Sequence, residues 1–377
     1  MKRLLTIGHS YVVALNRRLA DEMAQQGAGR WSVTAAAPAR YPGDLGPLNF
    51  EVGDGGGCET RRLPMHLTKI PHLTFYSGIR KLMAEPWDLI HCWEEPYVAA
   101  GAQIAAMAPT AARFVFATFQ NLPKTYPPPF RWFERRVLGR ADGWIAFGQT
   151  VHETQMRRPG YAAVPSRVIP PGVDTRRFTP DADARARVRA ERGWQDAVPV
   201  VGFLGRFVAQ KGIDVLAAAL RRVEGPWRAL FVGGGDERRA IDALASSFPG
   251  RVSVATGVGH ADVPQYLNAM DLICAPSQTT PAWREQFGRM LIEAMACGVP
   301  VLASRGGEIP HVVGDAALLI DEADVEAWSR GIVRVLADAG ERRAMADRGL
   351  RRARTVFAWP AVARRHLEFF DELVARR

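Results

Sequence analysis

Cysteine is scarce in this chain: Cys58, Cys92, Cys274 and Cys297 are scattered through 377 residues with no CxxC pair. That pattern excludes a disulfide scaffold, offers no zinc-ligand spacing and suits free thiols in a reducing compartment. Long apolar runs are missing too; no stretch of 18 apolar residues occurs, so no membrane-spanning helix is expected. The short apolar run after Met1 ends at Gly8-His9-Ser10, too early for a signal peptide. No GxGxxG opens a strand-turn-helix unit, which counts against a dinucleotide cofactor. No recognition motif or basic-aromatic platform for nucleic acid is present. The expectation is a cytoplasmic protein with no nucleic-acid partner.

What is present is ordinary globular material, 47% hydrophobic and 23% charged, long enough for two domains of about 150 to 200 residues. The net charge of +10 is uneven. Residues 1–178 hold 22 Lys and Arg against 14 Asp and Glu, leaving 27 against 25 for the remainder. The basic half could meet the inner face of an anionic membrane or an acidic acceptor; Arg-rich solvated helix faces account for it equally well. Trp132-Phe133 in the basic helix Arg131 to Arg140 is expected to pack on the sheet.

The pattern alternates between short apolar strands and helices, which implies parallel sheets covered on both faces. Strands are expected at Leu4 to Ile7, Trp31 to Ala37, Trp87 to Cys92, Phe114 to Thr118 and Gly143 to Phe147. Pro42 to Glu59, with Gly55-Gly56-Gly57, reads as one long acceptor-side loop. Val173 to Pro180 reads as a linker, and a second α/β half opens at Val198 to Leu204. Further strands are expected at Ala229 to Val232, Arg251 to Ala255, Asp271 to Ala275, Val299 to Ala303 and Ala317 to Ile320. The fold class is therefore α/β, two Rossmann-like domains facing a central cleft.

The most informative stretch is Gln278 to Pro300. A polar loop gives way at Phe287-Gly288 to the helix formers Met290 to Ala296, which stop at Gly298 and Pro300. A helix start attracts phosphate or sugar oxygens. Glu285 precedes it and Glu293 lies inside it; at helical rise, eight residues would separate them by roughly 12 Å, too far for a glycosidase pair. A cap at Glu285 and a solvated charge at Glu293 is the alternative. Gly205-Arg206 and Lys211-Gly212 add two cations between a strand and a helix, an arrangement able to hold a diphosphate.

Together these residues resemble the retaining glycosyltransferases of family four, which share the GT-B fold. Pro171-Gly172-Val173-Asp174 with Phe178 resembles that family's inter-domain segment, and Thr256-Gly257 through Pro276-Ser277 the stretch beside the nucleotide base. Glu285 through Pro300 is close to its most specific signature, and Ser304 through Pro310 resembles the segment after it. Phe357-Ala-Trp359 resembles the turn before a last helix that crosses back onto the first domain. The resemblance implies an N-terminal acceptor-side domain, 1–172 with helix 360–377, and a C-terminal nucleotide-sugar domain, 173–359.

By that resemblance the chain moves a hexosyl unit from a UDP-, GDP- or ADP-sugar to a saccharide or glycolipid hydroxyl, in bacterial surface polysaccharide or glycolipid synthesis. Arg206 and Lys211 would neutralise the diphosphate and Glu293 would bind the ribose hydroxyls. Glu285 with the Phe287-Gly288 backbone would hold the hexose, with Gly8, Gly205, Val258 and Arg289 as further donor contacts. No cofactor or metal is implied, in keeping with the absence of a strand-end DxD and with fixed cations able to do a metal's electrostatic work. Many family members carry His after the Thr-Phe pair; here Thr118-Phe119 is followed by Gln120, which cannot act as a base. Acceptor-side candidates are therefore Glu95, Glu94, His91 and His9, with Gln120 beside them. A GT-B epimerase of UDP-sugars and a non-catalytic nucleotide-sugar scaffold are the alternatives.

Overall fold

A computed structural model describes residues 1–43, 46–53, 56–194 and 197–376. The chain divides into two units, Met1–Gly172 with Trp359–Arg377, and Val173–Ala358. The N-terminal unit is built on seven parallel strands: β1 (Lys2–Ile7), β2 (Trp31–Pro38), β3 (Glu59–Leu63), β4 (Leu89–Cys92), β5 (Arg113–Thr118), β6 (Gly143–Ala146) and β7 (Ser166–Val168). Their order is β7-β6-β5-β4-β1-β2-β3. Successive strand residues feed opposite faces. Leu5, Ile7, Ile90 and Phe116 enter one core, while Leu4, Val33, Leu89 and Val115 enter the other. This double burial is why the strands read as continuous apolar runs.

The C-terminal unit repeats the plan with six parallel strands: β8 (Val200–Leu204), β9 (Arg228–Val232), β10 (Val252–Ala255), β11 (Leu272–Ala275), β12 (Val301–Ser304) and β13 (Ala317–Ile320), ordered β10-β9-β8-β11-β12-β13. Helix Arg289–Ala296 packs on one face through Leu291, Ile292 and Met295; helices Ile213–Leu220 and Val325–Ala337 cover the other. In both sheets the strand order reverses at one place, beside β1 and beside β8. Open α/β sheets bind ligands off the carboxyl ends of the strands at such a reversal, so the fold directs attention to Gly8-His9 and Gly205-Arg206.

The chain passes between units at Gly172–Val173 and returns at Ala358–Trp359. Val173 and Ala358 form a parallel bridge, and Val173 N–H donates to Phe357 O at 2.8 Å. Phe357 belongs to the core of the C-terminal unit and Trp359 to that of the N-terminal unit. Helix Trp359–Ala375 then packs on helix Ala14–Gln26, burying Val362, Leu367 and Phe370 with Leu19 and Met23.

Several expectations need correction. The stretch 42–59 is not one loop: Arg40–Gly43 and Gly46–Asn49 pair as an antiparallel hairpin, and Glu59 begins β3. Gly55 of its glycine run lies outside the described residues. The linker is followed at once by helix Ala182–Ala190, whose Asp181 caps Ala184 N–H at 2.9 Å. Trp132 does not pack on the sheet; it is 58% exposed on helix Phe130–Arg140, and only Phe133 reaches the core.

Candidate active site

In the C-terminal unit the chemistry collects where β8 and β11 end. Gly205-Arg206 follow β8, and the turn Ala209–Lys211 leads into helix Ile213–Leu220. The segment after β11 carries Ser277 and Glu285 to helix Arg289–Ala296, which Gly288 enters at φ +76°, a conformation glycine adopts without steric cost. Lys211 Nζ donates to Glu285 Oε2 at 2.5 Å, and Ser277 Oγ donates to the same oxygen at 3.0 Å. Glu285 is buried, so its charge is held by that ammonium. Lys211 also sits 5.4 Å from the Trp283 ring. A pocket beside the pair is lined by Lys211, Ser277, Glu285, Gly288, Met290 and Ile309. Arg206 is exposed and, among the described residues, makes no ion pair.

Glu285 lies outside the helix, whose N-cap position is Gly288, so helical rise does not measure its separation from Glu293. Glu293 is no solvated charge: its side chain is 6% exposed and Oε1 lies 2.9 Å from His260 Nε2. His260 in turn receives Arg177 Nη2 on Nδ1 at 2.6 Å. Neither His260 nor Arg177 was singled out by sequence; His260 lies inside the stretch beside the nucleotide base, where a polar side chain four residues past Thr256 was the available signal. Phe287 sends its ring into the core, 5.9 Å edge-on from Phe357. Val258 packs partly buried against the same core, and Arg289 is the first helical residue.

In the N-terminal unit a second cluster forms at the ends of β1, β4 and β5. Glu94 is buried and accepts three bonds: from His9 N–H at 2.7 Å, from His9 Nδ1 at 2.5 Å and from Tyr76 Oη at 2.6 Å. His9 stacks on Tyr41 at 4.7 Å. Burial works to lower the His9 pKa, but the charge and hydrogen bond of Glu94 outweigh it and leave the imidazole raised above its ordinary value. Glu95 accepts Thr118 Oγ1 and Phe119 N–H, each at 2.7 Å, and burial lifts its carboxyl to about 7. Gln120 is buried, its carbonyl oxygen Oε1 accepting Leu122 N–H at 3.0 Å. Gly8 is accounted for by packing: a Cβ there would lie 2.7 Å from Trp93 Cβ. His91 is no acceptor-side group. It is wholly buried within β4 against Trp93, His366 and Phe370, and desolvation drives its pKa well below the ordinary value.

Two parallel-sheet units, each with charged groups at its strand reversal, define the class of GT-B glycosyltransferases. The whole chain superposes on sucrose-phosphate synthase from Thermosynechococcus elongatus with a TM-score of 0.76 at 25% identity, covering 100% of both chains. On Anabaena HepE in complex with UDP the TM-score is 0.75 at 19% identity, over 99% of this chain and 100% of that one, a likeness of fold. Residues 12–177 match Glycosyltransferase Family 4 and residues 184–352 match Glycosyl transferases group 1.

The relatives agree. The D-inositol 3-phosphate glycosyltransferase of Salinispora arenicola is 31% identical over 97% of this chain and 87% of its own length. The GDP-mannose-dependent alpha-(1-6)-phosphatidylinositol monomannoside mannosyltransferase of Mycolicibacterium smegmatis is 32% identical over 77% and 78%. With the D-inositol 3-phosphate glycosyltransferase of Xylanimonas cellulosilytica the identity is 33% over 65% of this chain, and the match spans 60% of that relative's length. The chain belongs to glycosyltransferase family 4.

Proposed function

We propose that this chain transfers a hexosyl unit from a nucleoside diphosphate sugar to a hydroxyl of a saccharide or glycolipid acceptor, with retention of configuration and without a metal. What supports the reading is the Lys211–Glu285 pair at the strand reversal of the C-terminal unit, with Arg206 directly after β8. The anomeric carbon-to-phosphate oxygen bond breaks, and the bonding pair leaves with the nucleoside diphosphate. Arg206 and Lys211 neutralise the charge that accumulates there, Arg206 as a planar fork and Lys211 as a point charge. Binding of a diphosphate draws Lys211 from Glu285 and frees that carboxylate to accept hexose hydroxyls. The acceptor oxygen bonds to the anomeric carbon on the face the phosphate leaves, and its proton passes to Glu95 or to the departing phosphate oxygen.

A UDP- or GDP-sugar donor is the natural first choice, given the mannosyltransferase relative and the UDP-bound structural neighbour. Incubation with a panel of nucleotide-sugars and simple glycosides, in the presence of EDTA, tests the reading. NMR is expected to show a glycoside with the donor's anomeric configuration. An inverted product, activity only after metal is restored, or epimerised donor without acceptor would each refute a part of it.

Among the described residues no helix is long and apolar enough to cross a membrane. Helix Phe130–Arg140 nevertheless presents Trp132 beside exposed Arg131, Arg135 and Arg136, which suits the surface of an anionic bilayer. Co-sedimentation with phosphatidylglycerol vesicles, lost in Trp132→Ala, is the expected result; equal recovery with neutral vesicles would refute it.

A further inference from the structure

The carboxylate of Glu293 has one bonding partner among the described residues, and that partner is fixed in turn. Asp174 Oδ1 accepts the backbone N–H groups of Arg176 and Arg177 at 3.0 and 3.3 Å. The segment so held sends Arg177 Nη2 to both the carbonyl and Nδ1 of His260. A guanidinium has no acceptor, so Nδ1 must be the accepting nitrogen of the imidazole, and the ring hydrogen resides on Nε2. That hydrogen points at Glu293 Oε1, which lies 2.9 Å from Nε2. Phe178, 5.5 Å from the imidazole centroid, restricts the ring further. The result is a one-way series of donors, Arg177 to His260 to Glu293, ending on a buried helical carboxylate with no other hydrogen-bond donor among the described residues.

We propose that His260 is the positioning residue for the nucleoside ribose: its Nε2–H holds one oxygen of Glu293 and leaves the other directed at the ribose hydroxyls. This rests on Glu293 as the ribose-binding group. The His260 side chain is 36% exposed, so it borders the nucleoside without being sealed in the core. Without it, the Glu293 carboxylate loses its one hydrogen-bond donor among the described residues, and the discrimination between a ribose and a sugar lacking its hydroxyls disappears.

Calorimetric titration of the full chain with UDP and GDP, each beside its 2′,3′-dideoxy counterpart, tests the assignment. The wild type is expected to bind at least one ribonucleotide about tenfold or more tightly than the dideoxy form. His260→Phe, which keeps a flat ring against Phe178 and removes the donor, should weaken the ribonucleotide about tenfold and leave the dideoxy form unchanged, so that the two converge. His260→Gln, which restores an N–H donor near the position of Nε2, should recover most of the difference. If His260→Phe keeps the full dideoxy penalty, or His260→Gln converges like His260→Phe, the positioning role is wrong while Glu293 still binds ribose. If the wild type binds a ribonucleotide with no dideoxy penalty, Glu293 itself is misassigned and His260 falls with it. Binding of neither nucleotide would overturn the donor site as a whole.

Discussion

Glu285 of the C-terminal unit meets an ammonium, Lys211 at 2.5 Å, whereas Glu95 of the N-terminal unit meets a hydroxyl and a backbone amide, both at 2.7 Å. A carboxylate beside a fixed ammonium stays ionised, and the pair can be exchanged for another anion. A buried carboxylate held by neutral donors keeps its proton to higher pH, which is the state in which a group can take or return a proton near neutrality. On the proposed function, that contrast suits a charged donor at the C-terminal strand reversal and an uncharged hydroxyl at the N-terminal one.

The largest test of this contrast falls on the cations. Arg206→Ala and Lys211→Ala should each lower kcat by about a hundredfold or more in steady-state transfer assays. They should differ in stability. Arg206 is exposed, so its loss should leave the thermal midpoint unchanged. Lys211→Ala takes the ammonium from buried Glu285 and should cost about 2 kcal/mol, seen as a lowered midpoint. Near-normal turnover in both variants would remove the electrostatic account of the donor site.

Glu95 gives the next effect. With its pKa at about 7, the ionised form that can accept a proton appears as pH rises through 7. Acceptor kcat/KM should therefore climb between about pH 6 and 8, and Glu95→Gln should be at least about tenfold slower above that range, with the step gone. An unaltered pH profile in Glu95→Gln would assign the proton to the leaving phosphate instead.

The smallest effect concerns stability in the N-terminal unit. Burial drives His366 down to about 4 from 6.5. The unfolded chain takes up a proton below 6.5 that the folded chain refuses until about 4, so this stability is present above 6.5 and lost as pH falls across that window. Glu95 acts oppositely: its folded pKa is raised, so its contribution is greatest below 4.5 and is lost as pH rises through about 7. The informative quantity is the difference between His366→Phe and wild type in thermal midpoint, which should move in favour of the variant by several degrees from pH 6.5 to 4. A constant difference would show that His366 titrates normally.

Much of this molecule was legible because parallel strands buried on both faces leave unbroken apolar runs. Leu4 to Ile7 and Val200 to Leu204 announce themselves, and the glycine-bounded helix after Glu285 does so by composition. Legibility fails where structure depends on partners distant in sequence. β3 is largely exposed, Glu-Thr-Arg-Arg-Leu, and is a strand because β2 supplies its ladder. His91 reads like a strand-end base, but Thr6, Trp93 and His366 enclose it, and two of those come from other elements. His260 escaped notice for the same reason: nothing near it in sequence indicates that Arg177 and Glu293 converge on it.

The bridge between Val173 and Ala358 carries one last implication, for biosynthesis. An emerging polypeptide completes β1 to β7 early, yet the surface over Leu19, Val33 and Ile145 waits for Val362, Leu367 and Phe370, which leave the ribosome some two hundred residues after β7. The C-terminal unit is contiguous and can close first. A nascent chain halted before Trp359 would hold one finished unit and one with an open apolar flank, a species for chaperones to shield until the closing helix arrives.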